Sequence, residues 1–240
     1  MSKNSSAQDR ADRAAAALAE QRRKERRRTF LSVTGVVLVM ILIVGGGFLA
    51  AKLKGGGPND TAADPGSGTA MTIGQASAPH SVVIYEDFLC PYCGELEKRT
   101  KDGLASAAAD GRAQVTYRPF RLLSPDYSQQ ALEVWVATQH TAGNDVAKKL
   151  HDLLYANQPS EQGPFPKQSA LVALAVQAGA DQAKVQQAID SGEATTWADA
   201  STKAAQDAGV ASTPTVLLDG KELTGRTIDD MAAKLLNAVS

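Results

Sequence analysis

Ser81-Val82-Val83-Ile84-Tyr85-Glu86-Asp87-Phe88-Leu89-Cys90-Pro91-Tyr92-Cys93 is the stretch on which the fold turns. Ser81 to Tyr85 is a short β-branched run that predicts a buried strand. It leads straight into Cys90 and Cys93, the only two cysteines in 240 residues, with two residues between them. Where a strand gives way to a helix, a thiol pair at that spacing can pass between dithiol and disulfide within one turn of backbone.

Only a thiolate attacks a disulfide, so one sulfur must hold negative charge near neutral pH. A helix beginning at or just after Cys90 supplies this: its unpaired amides and dipole favour an anion there, and Pro91 suits the first helical position because it needs no amide partner. Such settings bring a cysteine pKa into a range of roughly 3.5–7.5. Cys90 is the expected attacking thiol. Cys93, one turn into the helix and less exposed, is the expected resolving thiol, and Pro91 and Tyr92 are the positions that tune the pair. Thr213-Pro214 is a second candidate: a proline opening a strand fits a strand start, and a cis bond there would turn the Thr213 backbone outward to meet an extended substrate segment, although proline statistics alone favour an ordinary trans proline ending a loop.

Other chemistries fit less well. No second cysteine pair accompanies the first, and His80, His140 and His151 form no ligand pair at short fixed spacing, so neither a metal nor a cofactor is expected. The histidines read as surface or packing residues. Glu86 and Asp87 read as solvated; if they faced Cys90 they would oppose its thiolate.

Charge divides the chain unevenly. Residues 1–29 carry nine Lys or Arg against four acids; removing them from totals of 25 and 26 leaves 16 and 22, a net charge of −6 on the remainder. Phe30 to Ala51 is a 22-residue run without charge, and about 20 residues of helix span a bilayer core. With Arg26-Arg27-Arg28 before it and only Lys52 and Lys54 just after, it is expected to be a transmembrane signal anchor with a cytoplasmic N-terminus and an extracytoplasmic domain in a single-pass cell-membrane protein. A cleaved signal peptide is the competing reading, but Phe48 and Leu49 are bulky where cleavage needs small residues. Arg27-Arg28-Thr29-Phe30-Leu31 also resembles a twin-arginine export signal. Residues 52–70, rich in Gly and Pro, read as a flexible linker with a reach of roughly 20–25 Å.

An exported domain meets an oxidising compartment, where most cysteines become structural bridges. A two-residue loop is a poor staple, because the unfolded-state entropy a bridge removes grows with loop length. Catalysis is favoured over stapling.

Residues 71–240 suit one domain. After the first strand come a helix over Glu95–Ala109 and a strand over Gln114–Arg118. A block of about four helices follows within about 125–207, broken at Gly143-Asn144, Pro159 to Pro166, Gly179 and Gly192. Thr215 to Leu218 and Lys221 to Leu223 flank Asp219-Gly220, a strong hairpin signal, and Ile228 to Val239 closes the chain as an amphipathic helix. This order predicts an α/β, thioredoxin-like fold with an inserted helical subdomain, preceded by a single N-terminal transmembrane helix.

From about Met71 onward the chain resembles the DsbA-like thioredoxin family. The resemblance rests on Ala78-Pro79, Asp87 to Cys93, Tyr117-Arg118-Pro119-Phe120, His151-Asp152-Leu153-Leu154-Tyr155-Ala156-Asn157-Gln158 and Gly209 to Thr215. It implies a thioredoxin fold with inserted helices, Cys90 and Cys93 as the catalytic pair, and Thr213-Pro214 as a cis-proline loop facing them. It further implies exported substrate proteins with cysteine pairs, reoxidation by a quinone-linked membrane partner, and no nucleic-acid ligand. Many relatives carry an acid six residues before the first cysteine; here that position is Ile84. An oxidase is the leading expectation. A reductase or isomerase with the same site, and a non-catalytic membrane-held binding module with a stable disulfide, are the alternatives.

Overall fold

In the computed structural model, which describes residues 70–123 and 125–240, the apolar run leading to Cys90 is the strand β2 (His80–Glu86). Val82, Val83, Ile84 and Tyr85 are all buried, because both faces of the sheet are covered at this strand. Val82 and Ile84 enter one core with Phe88, Leu96, Leu104, Tyr117 and Trp135, while Val83 and Tyr85 enter a second with Phe120, Ala205, Val210 and Leu217. A strand buried on both faces carries an unbroken apolar run rather than an alternating one.

The remaining strands are β1 (Met71–Ile73), β3 (Ala113–Pro119), β4 (Thr215–Leu218) and β5 (Lys221–Glu222), and the five form one sheet in the order β1-β3-β2-β4-β5. β2 runs parallel to β3, with Val82 opposite Val115 and Ile84 opposite Tyr117, and antiparallel to β4, with Ile84 opposite Val216. Parallel neighbours need a crossover. Helix α1 (Pro91–Ala109) supplies it and carries the cysteines at its start. It packs against β3 and against α7 (Ile228–Ala238). At the hairpin, Asp219 and Gly220 both take positive φ, 51° and 73°, as the tightest two-residue connection requires.

Five helices lie between β3 and β4: α2 (Pro125–Ala142), α3 (Asn144–Ala156), α4 (Gln168–Ala178), α5 (Gln182–Asp190) and α6 (Glu193–Asp207). That is one more than the four or so expected, and the five part at the four expected breaks, Gly143-Asn144, Pro159 to Pro166, Gly179 and Gly192. α1 begins at Pro91, directly after Cys90 as expected and four residues before the apolar periodicity that starts at Glu95. β1 has no sequence signal, because its three residues are fixed by antiparallel pairing with β3 rather than by any pattern of their own. The basic tail, the span expected at 30–51 and all of the linker but Ala70 lie outside the described residues. Among the described residues, no helix is long and apolar enough to cross a membrane.

Candidate active site

Cys90 caps α1, with extended backbone (φ −65°, ψ 116°) and Pro91 following in the first turn. Its N–H donates to the Asp87 carbonyl at 3.0 Å, and its own carbonyl accepts from the Cys93 N–H at 3.0 Å and the Gly94 N–H at 3.2 Å. Both thiols are free. From the far end of the sequence, the loop before β4 brings the Thr213 carbonyl to 3.4 Å from the Cys90 sulfur, and the Thr213-Pro214 peptide is cis. The structure therefore brings Cys90, Cys93 and Thr213 together. Pro91 and Tyr92 stand at the surface, Tyr92 with 60% of its area exposed.

Burial separates the two sulfurs less than the sequence suggests: Cys90 is 4% and Cys93 2% exposed. Their chemistry separates them strongly. A hydrogen bond from the Cys93 thiol lowers the Cys90 pKa against the opposing effect of burial, and Thr213 and the N–H groups of Cys93 and Tyr92 lower it further, from 9.0 to about 6. Burial, followed by the bond to Cys90 and the Cys90 charge, holds the Cys93 thiol well above its ordinary value. One sulfur is an anion at neutral pH and its neighbour a thiol.

Behind the pair lies a buried charge cluster, and it corrects two expectations. His151, expected as a surface or packing residue without a partner, is fully buried, with Nε2 at 2.6 Å from the Glu86 carboxylate and Nδ1 at 3.3 Å from Asp152. Glu86, expected in solvent, is 2% exposed. A buried charge is tolerable only when paired, and the partner here is 65 residues away. Glu97 and Lys148 complete the cluster: the Lys148 ammonium contacts Asp152 and lies 3.6 Å from Glu97 Oε1. Glu97, His151 and Asp152 place one donor atom each within 4.8 Å of one another, but Lys148 already supplies the cation, and a metal ion would have to displace it.

Burial drives the Glu97 pKa up to about 7, with His151 and Lys148 opposing it. Burial alone would lower the His151 value, yet the charges of Glu86 and Glu97, with the hydrogen bonds it donates to Asp152 and Glu86, raise it to about 10. The signs run the same way. A carboxyl whose folded pKa is raised from 4.5 to about 7 costs stability as pH climbs through that window. An imidazole raised from 6.5 to about 10 contributes stability that is complete below 6.5 and lost as pH climbs to about 10. In a Cys90→Ser background, which removes the opposing rise from a thiol lowered to about 6, stability to urea is therefore expected to fall from about pH 5 to pH 10, and His151→Gln to flatten the upper half of that decline. A stability that rises over this range in that background would contradict the pairing.

Asp87, also expected in solvent, is fully buried. Oδ1 accepts from the Leu89 N–H and the Ser128 hydroxyl, each at 2.8 Å, and Oδ2 accepts from the Leu122 N–H at 2.7 Å and the Leu123 N–H at 2.8 Å. Its charge is used up in tying the cysteine turn to the loop after β3 and to α2. Ile84, where relatives place an acid, is an apolar core residue at 2% exposure.

A model of the thioredoxin family matches residues 66–238. The chain belongs to the thioredoxin family. Among solved structures it is similar to DsbA from Mycobacterium tuberculosis in its reduced form, at 26% identity over 72% of this chain and 93% of that one, with a TM-score of 0.60. Reduced DsbG from Mycobacterium tuberculosis is similar at 27% identity over 73% and 89%, TM-score 0.61. MdbA from Actinomyces oris, 19% identical over 75% and 94%, shares the fold with a TM-score of 0.60. No curated protein matches the chain. The protein is DsbA-like.

Sequence reasoning missed Glu97, Lys148, His151 and Asp152 in this thioredoxin-family member, and a signal existed for one of them. Glu97 follows Cys93 by four residues, so on a helix it shares the buried face one turn further on. The others lie on α3; His151 and Asp152 fall in the stretch 151–158 that resembles the family, and nothing local marks Lys148.

Proposed function

We propose that this thiol–disulfide oxidoreductase is a membrane-tethered, extracytoplasmic oxidase that donates the Cys90–Cys93 disulfide to exported proteins with cysteine pairs. The asymmetry of the two thiols supports the reading: Cys90 titrates at about 6 and Cys93 well above 9.0. A dithiol that holds one sulfur as a stabilised thiolate favours the reduced form, which makes the corresponding disulfide an oxidant.

In the first step a substrate thiolate attacks the Cys90 sulfur. The Cys90–Cys93 bond breaks, a mixed disulfide forms, and Cys93 leaves and takes up a proton. The proton that the substrate thiol gave up in becoming a thiolate balances this uptake. A second substrate thiolate then attacks the substrate sulfur of the mixed disulfide and releases Cys90 as a thiolate, an easily expelled group because its pKa is low. The substrate loses two electrons and the enzyme gains them. A quinone-linked membrane protein is the proposed acceptor that restores the disulfide, and the exposed Tyr92 and the Thr213 backbone are the surfaces a substrate segment meets first.

Equilibration of the full chain with glutathione tests the direction. An oxidase is expected near about −120 mV, whereas a value near about −270 mV would assign a reductase. The tether rests on the uncharged run 30–51 and the arginines before it; recovery of the chain in the soluble fraction would remove it.

A further inference from the structure

The end of α3 grips the backbone of the cysteine turn. The Tyr155 hydroxyl donates to the Asp87 carbonyl at 3.4 Å. Three residues on, just beyond the helix, Gln158 Nε2 donates to the carbonyls of Phe88 and Cys90, both at 2.9 Å. The Cys90 carbonyl also takes the N–H groups of Cys93 and Gly94, so it is held from the helix side and from the α3 side at once. Gln158 reaches it by lying across Gly94: a Cβ on that residue would stand 2.3 Å from Gln158 Oε1 and 3.1 Å from Cδ. Real Cβ atoms do not approach that closely, so only glycine leaves the amide its place. Gly94 and Gln158 both line the groove of about 680 Å³ that runs along α1 beside Glu97, Lys98, Asp152 and Tyr155.

We propose that Gln158 is a positioning residue for Cys90: its amide, seated on Gly94, fixes the carbonyls of Phe88 and Cys90 and thereby aims the first N–H groups of α1 at the Cys90 sulfur. The reason is geometric. Rotation of the Cys90–Pro91 peptide would move the Cys90 carbonyl and swing the amides of Tyr92 and Cys93 relative to the sulfur, and these amides help to lower its pKa, after the larger effects of the Cys93 thiol and Thr213. No charged side chain does so in their place; the titratable group bonded to Cys90 is the Cys93 thiol, while the buried Glu86 acts on Cys93. The inserted helical segment thus reaches the Cys90 carbonyl through one neutral amide. The inference rests on Cys90 being the attacking thiol.

Two substitutions perturb the seat from opposite sides. Gln158→Ala removes the amide. Gly94→Ala keeps it but displaces its flexible end, and replaces a helical glycine by a better helix former, so folding stability is expected to hold or rise. The full chain is alkylated across pH 4–9, with modification at Cys90 read by fragment mass. Loss of a positioning hydrogen bond is expected to move the Cys90 midpoint upward and slow alkylation at pH 5 about three- to tenfold. It should do so in both variants, and the double variant should be no worse than the worse single. Midpoints unchanged in both, with only thermal stability altered, would reduce Gln158 to a structural contact and overturn the inference. Effects that add in the double variant would also overturn it, because the two residues would then act separately. If Cys90 of the unaltered chain fails to react at any pH, the oxidoreductase reading falls first and this inference falls with it.

Discussion

Cys90→Ser is expected to bring oxidation of a reduced test protein down to the rate seen without enzyme, while Cys93→Ser keeps the first step and accumulates a mixed disulfide at Cys90. A serine hydroxyl cannot provide the low-pKa sulfur that forms and releases the mixed disulfide. Cys93 cannot stand in for its neighbour, because burial, followed by the bond to Cys90 and its charge, holds the Cys93 thiol protonated. The two variants therefore differ in kind rather than degree. Following substrate thiols by a colorimetric reagent, and enzyme–substrate adducts on non-reducing gels, reads both. Activity retained after Cys90→Ser, or adducts trapped through Cys93, would reverse the assignment.

Asp87→Ala is expected to cost on the order of 4 kcal/mol, which is a large share of the 5–15 kcal/mol typical of a folded domain. The carboxylate accepts four hydrogen bonds, from the backbones of Leu89, Leu122 and Leu123 and the hydroxyl of Ser128. Alanine leaves those donors without a partner in a region where Asp87 itself is fully buried, and an orphaned buried donor costs about 1–3 kcal/mol, less where water can enter. Asp87→Asn keeps one acceptor oxygen and should recover part of the loss. Urea unfolding of the two variants measures this; a loss below about 1 kcal/mol for the alanine variant would mean that water replaces the carboxylate. The same substitution loosens the turn that carries Cys90, so activity should fall further in Asp87→Ala than in Asp87→Asn.

What could be read from the sequence was what neighbouring residues decide. Val82 to Tyr85 announce a strand because both sheet faces are covered there, Pro91 announces a helix start, and Asp219-Gly220 announces a hairpin, each through the local preferences of a few consecutive residues. The cysteine pair needed no more than its spacing. The buried charges are different. Glu86 and Asp87 look solvated in sequence because the partners that allow their burial, His151 and the backbone of Leu122 and Leu123, are 65, 35 and 36 residues away. The seat of Gln158 on Gly94 joins two helices that are adjacent only after folding, and the signal for it in sequence is no more than a glycine in a first helical turn. Tertiary partners, rather than propensity, decided every site residue that was missed.

The central claim is that the Cys90 sulfur is an anion at neutral pH and open to attack, even though the residue is 4% exposed. Alkylation of the reduced full chain as a function of pH tests it most directly. Half-maximal reactivity at Cys90 near pH 6, with Cys93 silent throughout, is the result expected from the bonds that hold the thiolate. A midpoint near the ordinary thiol value of 9.0, or a Cys90 that labels only after unfolding, would contradict it.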